Sequence, residues 1–360
     1  SPILLTKANT HIVGEGPGRT VLRCQTGSNI GMFVIQASNC SIQQLTLTQK
    51  PKLAFPFYDM GDAVGIDVYG TTAEITGVVV RHLSIETLPN AGLRFRGRSF
   101  DPVGFGVSAS LVEDVHVRNS RMAAQCSIGP RCHGITLRKS RFVSEAGPGN
   151  IPASTPGTVG VEITGARSIM LDTCEGIAAA STPWLNVKNA PLEFMMDHEC
   201  STIVMENCDV ERGQQPWFSH YISVVGAIHF VMRNNLLFEG IFAVELVDCF
   251  QPVLSGNILK KFTNGYNVIT VTLRDTQRAM LACNCDETRD EADGSGADRR
   301  GIIYSELGQT KATVVTEYGS VRAPNRTNEW PEVTLPGMVF YGTADNRLYI
   351  RGSTSWNTIG

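Results

Sequence analysis

Charge is sparse in this chain. Asp, Glu, Lys and Arg make up 18% of its 360 residues, against about a quarter in ordinary globular domains. The 31 basic and 34 acidic residues leave a net charge of −3. That balance excludes the dense cationic surface used on nucleic acid or anionic membranes. No apolar run nears the roughly 18 residues of a membrane span, so no membrane insertion is expected. No stretch of 12 or more residues carries a convincing helical period. Ten cysteines show no evident pairing pattern and are too few for a disulfide scaffold, which fits assembly in a reducing cytoplasm. What is plentiful is apolar residues at 42% and 35 glycines, the composition of a folded, turn-rich chain. The chain opens directly on strand-like sequence, Ser1-Pro-Ile-Leu-Leu5, and its start reads as a domain boundary.

Recurring units dominate the next level. A six-residue pattern runs apolar, two polar or small residues, a small or apolar residue, any residue, apolar. It occurs as Ile42-Gln-Gln-Leu-Thr-Leu47, Val80–Ile85, Val112–Val117, Leu137–Phe142, Leu171–Gly176, Met205–Val210, Met232–Leu237 and Leu254–Leu259. The shortest spacing, Met232 to Leu254, sets the bare unit at 22 residues; the excess elsewhere is loop insertion. A second strand precedes most units, as in Gly65-Ile-Asp-Val68, Gly92-Leu-Arg-Phe95, Gly160-Val-Glu-Ile163 and Ala243-Val-Glu-Leu246. These alternate with period two, the mark of a half-buried strand.

Three short strands per unit predict an all-β chain wound as a right-handed parallel β-helix. Each coil then buries its inward side chains on the coils above and below. The two residues between the paired apolar positions predict a sharp turn, with Asn207, Asn234 and Gly256 suited to unusual backbone angles. Cys174 and Cys208 share one register position and read as an inward stack of small thiols, a disulfide or metal pair being the sharper alternative. Cys283-Asn-Cys285 lacks a second pair at zinc-ligand spacing.

The opening segments His11-Ile-Val-Gly-Glu-Gly-Pro-Gly-Arg-Thr20 and Asn39-Cys-Ser-Ile-Gln-Gln-Leu-Thr-Leu47 resemble the start of pectate-lyase-like β-helix proteins. The likeness covers roughly residues 1–275 and is specific for fold, weak for reaction. The superfamily includes lyases, hydrolases, epimerases and phage tailspike depolymerases acting on acidic or complex polysaccharides. The segment Pro336–Gly360 resembles the ends of phage tail fibres and tailspikes, with a hairpin about Ala344-Asp-Asn-Arg347. Together these mark residues 1–285 as the helix, 286–322 as an acidic loop and final strands, and 323–360 as a small C-terminal β cap, which either joins three chains, as the resemblance implies, or simply covers the end coil of one. The run Asp286–Arg300 breaks the repeat and reads as a solvated loop; its carboxylates do not have EF-hand spacing.

Alternation along the Gly-apolar-x-apolar strands places Asp67, Arg94, Arg96, Ser127, Glu162, Asn186, Lys188, Ser223, Glu245 and Thr270 on the outer face. Coils stack about 4.8 Å apart. Asp67 to Glu162 and Glu162 to Glu245 are each three coils, about 14 Å, too far for the carboxyl pair of a glycosidase. A second carboxylate must come from a loop or another subunit. The 189–200 insertion offers Glu193, Asp197, His198 and Glu199. Trp184, Trp217, His220 and Tyr221 lie in nearby coils and offer flat faces for sugar stacking. Glu162, Asp197 and Glu199 are thus the catalytic candidates; Lys188, Arg94, Arg96, Trp184, Trp217, His198 and Glu245 are the substrate-binding ones. β-Elimination would instead use a base such as His198 with Lys188 and the arginines neutralising a uronate carboxylate.

Calcium-dependent lyases of this fold hold the ion with Asp and Glu, and no matching acidic ladder is present here. Asp59, Asp62 and Asp67 could together hold an ion, but read as a solvated insertion plus one ladder residue. No cofactor is therefore expected, with calcium as the alternative. The resemblance implies a homotrimeric phage tailspike depolymerase, located in the virion tail, cleaving a bacterial capsule, O-antigen or exopolysaccharide by glycoside hydrolysis. The alternatives are a secreted bacterial lyase or epimerase on a uronic-acid polymer, and a non-catalytic binding spike.

Overall fold

The computed structural model describes residues 2–24, 31–49, 64–86, 90–97, 105–118, 124–143, 159–178, 182–190, 199–212, 220–240, 242–262, 271–287, 300–301, 304–307, 311–315, 339–342, 347–351 and 356–359. The chain winds as a right-handed parallel β-helix. One sheet has eleven strands, each hydrogen-bonded in parallel to the strand of the next coil, from Ile3–Leu5 to Tyr304–Leu307. The six-residue units form the other ladder. In early coils a unit lies within one long strand, such as Val79–Glu86 or Leu111–Arg118. In later coils it splits into two, such as Arg167–Asp172 and Glu175–Ala178.

The split falls where the chain turns. The third residue of every unit has a left-handed backbone: Gln44, His82, Asp114, Lys139, Thr173, Asn207, Asn234 and Gly256, with φ between 47 and 63°. Asn and Gly accept this conformation readily, whereas Gln, Lys and Thr resist it. Stacking decides the outcome. The amide of Lys139 donates to the Asp172 carbonyl at 3.0 Å, Thr173 to Glu206 at 3.0 Å, and Asn234 to Ser255 at 3.0 Å. Each turn therefore continues the backbone ladder into the next coil, and a lone residue cannot leave it without breaking that bond. A ninth turn sits at Cys283, φ 52°. The Cys283-Asn-Cys285 run is thus one more turn of the repeat.

Two inward columns fill the core. Phe33, Ile66, Leu93, Cys126, Val161, Leu185, Ile222, Val244 and Val271 stack rung on rung beneath the eleven-stranded sheet. Ile42, Val80, Val112, Leu137, Leu171, Met205, Met232, Leu254 and Leu281 do so beneath the other. The residue after each left-handed turn also points in, and the amides of Val115, Cys208, Asn235 and Asn257 in this column bond to side-chain oxygens of the next coil. Cys174 and Cys208 occupy this column as buried free thiols. A hydrogen bond with Cys174, and then burial, push the Cys208 thiol well above its usual range. Higher up the column is a ladder of amides. Asn235 donates to Asn257 Oδ1 at 2.9 Å, and Asn257 donates to Asn284 Oδ1 at 2.7 Å. The backbone amides of Asn235 and Asn257 donate to the same two oxygens, and that of Cys208 donates to Asn235 Oδ1.

Parallel pairing runs past residue 285, with Tyr304–Leu307 on Val271–Arg274 and Lys311–Val315 on Gln277–Ala282. Residues 288–299 of the acidic run lie outside the described residues. Near the C-terminus, Val339–Gly342, Arg347–Arg351 and Trp356–Ile359 form an antiparallel three-stranded sheet.

The amide ladder makes a quantitative prediction. Asn257→Ala leaves at least two buried groups unpaired, at roughly 1–3 kcal/mol each. Urea unfolding is expected to show a loss of about 3 kcal/mol, against less than about 0.5 kcal/mol for exterior Ser223→Ala. Equal midpoints for the two variants would contradict the ladder's role.

Candidate functional site

The exterior of the eleven-stranded sheet is built by register. Asp67, Arg94, Ser127, Glu162, Asn186, Ser223, Glu245 and Thr272 occupy successive rungs. Thr272, not Thr270, holds the rung expected for a threonine; residue 270 lies outside the described residues. The column spans seven coil spacings, about 34 Å. Every member is polar, although the residues on either side of each in sequence are mostly buried and apolar.

Two charge clusters mark this face. At one end Asp67, 3% exposed, is gripped by both expected arginines. Arg94 Nε and Nη2 donate to its two carboxylate oxygens at 3.1 and 2.8 Å, and Arg96 does the same at 3.1 and 2.7 Å. Arg96 also lies over the Tyr69 ring, 4.1 Å from its centroid. One carboxylate against two guanidiniums leaves the cluster with one net positive charge. Asp67 is thus a clamp that fixes two planar cations. Tyr69 escaped the sequence reading, although it sits two residues past Asp67 and so shares its face.

At the centre, Lys188 Nζ is 2.6 Å from Glu162 Oε1. Both side chains keep contact with solvent, at 47% and 21% exposure. Exposed pairs of this kind contribute about 0–1 kcal/mol, so stability alone gives little reason for it. Glu245 is half-buried three rungs beyond Glu162. No two carboxylates of this column fall on adjacent rungs.

Other expected site residues are placed elsewhere. Trp184 is fully buried, and its indole nitrogen donates to the Phe142 carbonyl at 3.0 Å. It is a core residue and cannot stack on sugar. Two glycines make its slot: a Cβ on Gly160 would lie 2.4 Å from the indole, and one on Gly176 2.0 Å from it. Gly176 ends a six-residue unit where an apolar residue was due, and that was the readable signal. Tyr221 is likewise buried, its hydroxyl donating to the Phe238 carbonyl at 3.1 Å. Glu199 is exposed and lies two residues before Ser201, as Gly165 lies before its rung partner Arg167. It therefore stands at the corner beyond the sheet strand, off the face. Asp197, His198, Trp217, Glu193, Asp59 and Asp62 lie outside the described residues. Among the described residues no group of three His, Cys, Asp or Glu is placed to hold a metal ion.

No family model and no curated protein matches the chain. Among solved structures it is similar to the Agl-KA catalytic domain, with a TM-score of 0.50 and 9% identity over 84% of this chain and 58% of that one. It is also similar to the mannuronan C-5 epimerase AlgE6 A-module of Azotobacter vinelandii, at TM-score 0.48 and 12% identity over 86% and 84% of the two chains. ORF18 of Geobacillus virus E2 superposes at TM-score 0.46 and 10% identity, over 100% of this chain and 76% of that one. At these identities the likeness speaks to the fold alone.

Proposed function

We propose that this chain is a tailspike-type depolymerase that binds a bacterial surface polysaccharide along the exterior of the eleven-stranded sheet and cleaves it by glycoside hydrolysis. The observation that carries the reading is the unbroken polar column from Asp67 to Thr272, about 34 Å long. A flat strip of that length suits an extended polymer, whereas a small molecule is usually enclosed in a compact pocket. Glu162 stands near the middle and is the proposed general base. Its acid partner is assigned to Asp197 of the 189–200 insertion, because Glu199 stands off the face and the other carboxylates of the column are about 14 Å away, whereas inversion needs about 6.5–9.5 Å. Lys188, Arg94, Arg96 and Glu245 are the proposed sugar contacts.

A second reading has its own support. The Arg94 and Arg96 guanidiniums outnumber Asp67 on the same face, and a spare cation is what β-elimination beside a uronate carboxylate requires. Incubation with purified capsular, O-antigen and uronate polysaccharides separates the two. Hydrolysis is expected to release reducing ends without the ultraviolet absorbance of an unsaturated sugar. Glu162→Gln is expected to lower the rate about 100-fold or more while binding persists. Absorbance rising with the reducing ends would replace hydrolysis by elimination. Binding without cleavage on the host's own polymer would leave a spike that only binds.

We further propose a homotrimer in the virion tail. The exterior of the second ladder is apolar on successive rungs, with Val79, Leu111, Met170, Val204, Val231 and Val253 half-buried and only Thr136 interrupting. The charged column beside it balances, with Arg81, Arg138 and Arg233 against Glu113, Asp172 and Glu206; Arg138 lies 3.7 Å from both Glu113 and Asp172, and Arg233 pairs with Glu206. An apolar stripe with a neutral rim suits further copies of the same chain, whose rungs repeat at the same spacing. Light scattering is expected to give three chains, and one chain after removal of residues 323–360. A single-chain mass for the intact protein would overturn this.

A further inference from the structure

Past the end of the sheet strands, at the corner leading to the next face, a cleft of about 420 Å³ opens. That volume falls within the range of small-molecule sites. Thr76, Ser108, His133 and Arg167 follow one another there on consecutive coils. Glu74 reaches across them. Its Oε1 accepts a hydrogen bond from the Ser108 hydroxyl and lies 3.5 Å from His133 Nε2. His133 and Glu74 are about half exposed, at 54% and 44%. Arg131 and Arg167 complete the polar lining, and Phe105 supplies an apolar wall.

Arg131 is unusual for its position. Its φ is 65°. The same corner carries Gly165, Gly226, Asp248 and Asp275 in other coils, all with positive φ. Glycine and aspartate suit that conformation, and a long cationic side chain does not. Gly106 accommodates it: a Cβ there would lie 1.8 Å from the Arg131 carbonyl oxygen. A strained backbone beside an obligatory glycine places a guanidinium at the cleft.

We propose that this cleft binds one acidic sugar residue, with its carboxylate on the Arg131 and Arg167 side and its hydroxyls toward Glu74 and His133. Of the charged side chains that line the cleft among the described residues, two are guanidiniums and one is a carboxylate. Planar guanidinium matches planar carboxylate in paired hydrogen bonds. The half-exposed imidazole and carboxylate offer both a donor and an acceptor to ring hydroxyls. That the sugar is a unit of the bound polymer rests on the function proposed above; that the cleft takes an acidic sugar does not.

The test uses the intact chain with ¹³C-labelled histidine, the His133 signal being assigned by its loss in His133→Asn. Glucuronate is expected to shift that signal saturably, glucose to leave it unmoved, and inorganic phosphate to act more weakly. Arg167→Gln is expected to weaken the glucuronate response about tenfold. Arg131→Asn is expected to do the same while keeping a residue that tolerates the turn. An absent response to glucuronate, an equal one to glucose or phosphate, or undiminished binding in both arginine variants would overturn the proposal. Glu162→Gln is expected to leave the response unchanged, so failure of the sheet-face function and failure of this site are read separately.

Discussion

Everything in this molecule depends on one recurring backbone turn. A residue with φ near 50° ends the first half of each six-residue unit, and its amide bonds to the carbonyl of the next coil. Because that bond is repeated coil after coil, no turn can slip by a residue without exposing its core column. Fixed turns keep Leu137 above Val112 and Leu171 above Leu137. The same fixed register keeps Glu162 beside Asn186 on the outer face. The polar outer face is therefore a by-product of the turn: once the inward column is set, alternation delivers the outward one.

Within that frame the two exteriors differ in chemistry more than in geometry. The eleven-stranded sheet presents charge and hydroxyls, with its ions locally paired as Asp67 with Arg94 and Arg96, and Glu162 with Lys188. The other ladder presents valine, leucine and methionine, rimmed by three arginines and three carboxylates in one column. Pairing holds the charged side chains in place without neutralising the arginine end. A polymer can then meet oriented groups, whose ordering has already been met by folding. One exterior is thus polar and oriented, and the other carries the apolar stripe on which the proposed homotrimer rests.

Much of the fold could be read because both of its rules leave marks in sequence. Period two betrays the strands, and the polar pair inside each unit betrays the turn. The rungs carrying Asp67, Arg94, Glu162, Asn186 and Glu245 follow from alternation alone. The reading failed where alternation stops. Where the chain enters a sheet strand, two consecutive residues can both face inward, as Trp184 and Leu185 do, so an aromatic there looks exposed and is not. Cys283 was hidden because a thiol pair suggests chemistry more readily than a turn. The corner cleft was invisible for a different reason. Glu74, Ser108, His133 and Arg167 come from four separate coils and share no spacing, and only the stacking brings them together.

The central claim is that the sheet exterior, and not another surface, holds the polymer. It is tested most directly by a crystal structure of the Glu162→Gln protein with an oligosaccharide from the polymer it processes. The account expects the sugar chain to run along the axis over the Arg94–Glu245 column, with a glycosidic bond beside residue 162. A chain seated on the Val79–Val253 stripe, or crossing the coils away from residue 162, would contradict it.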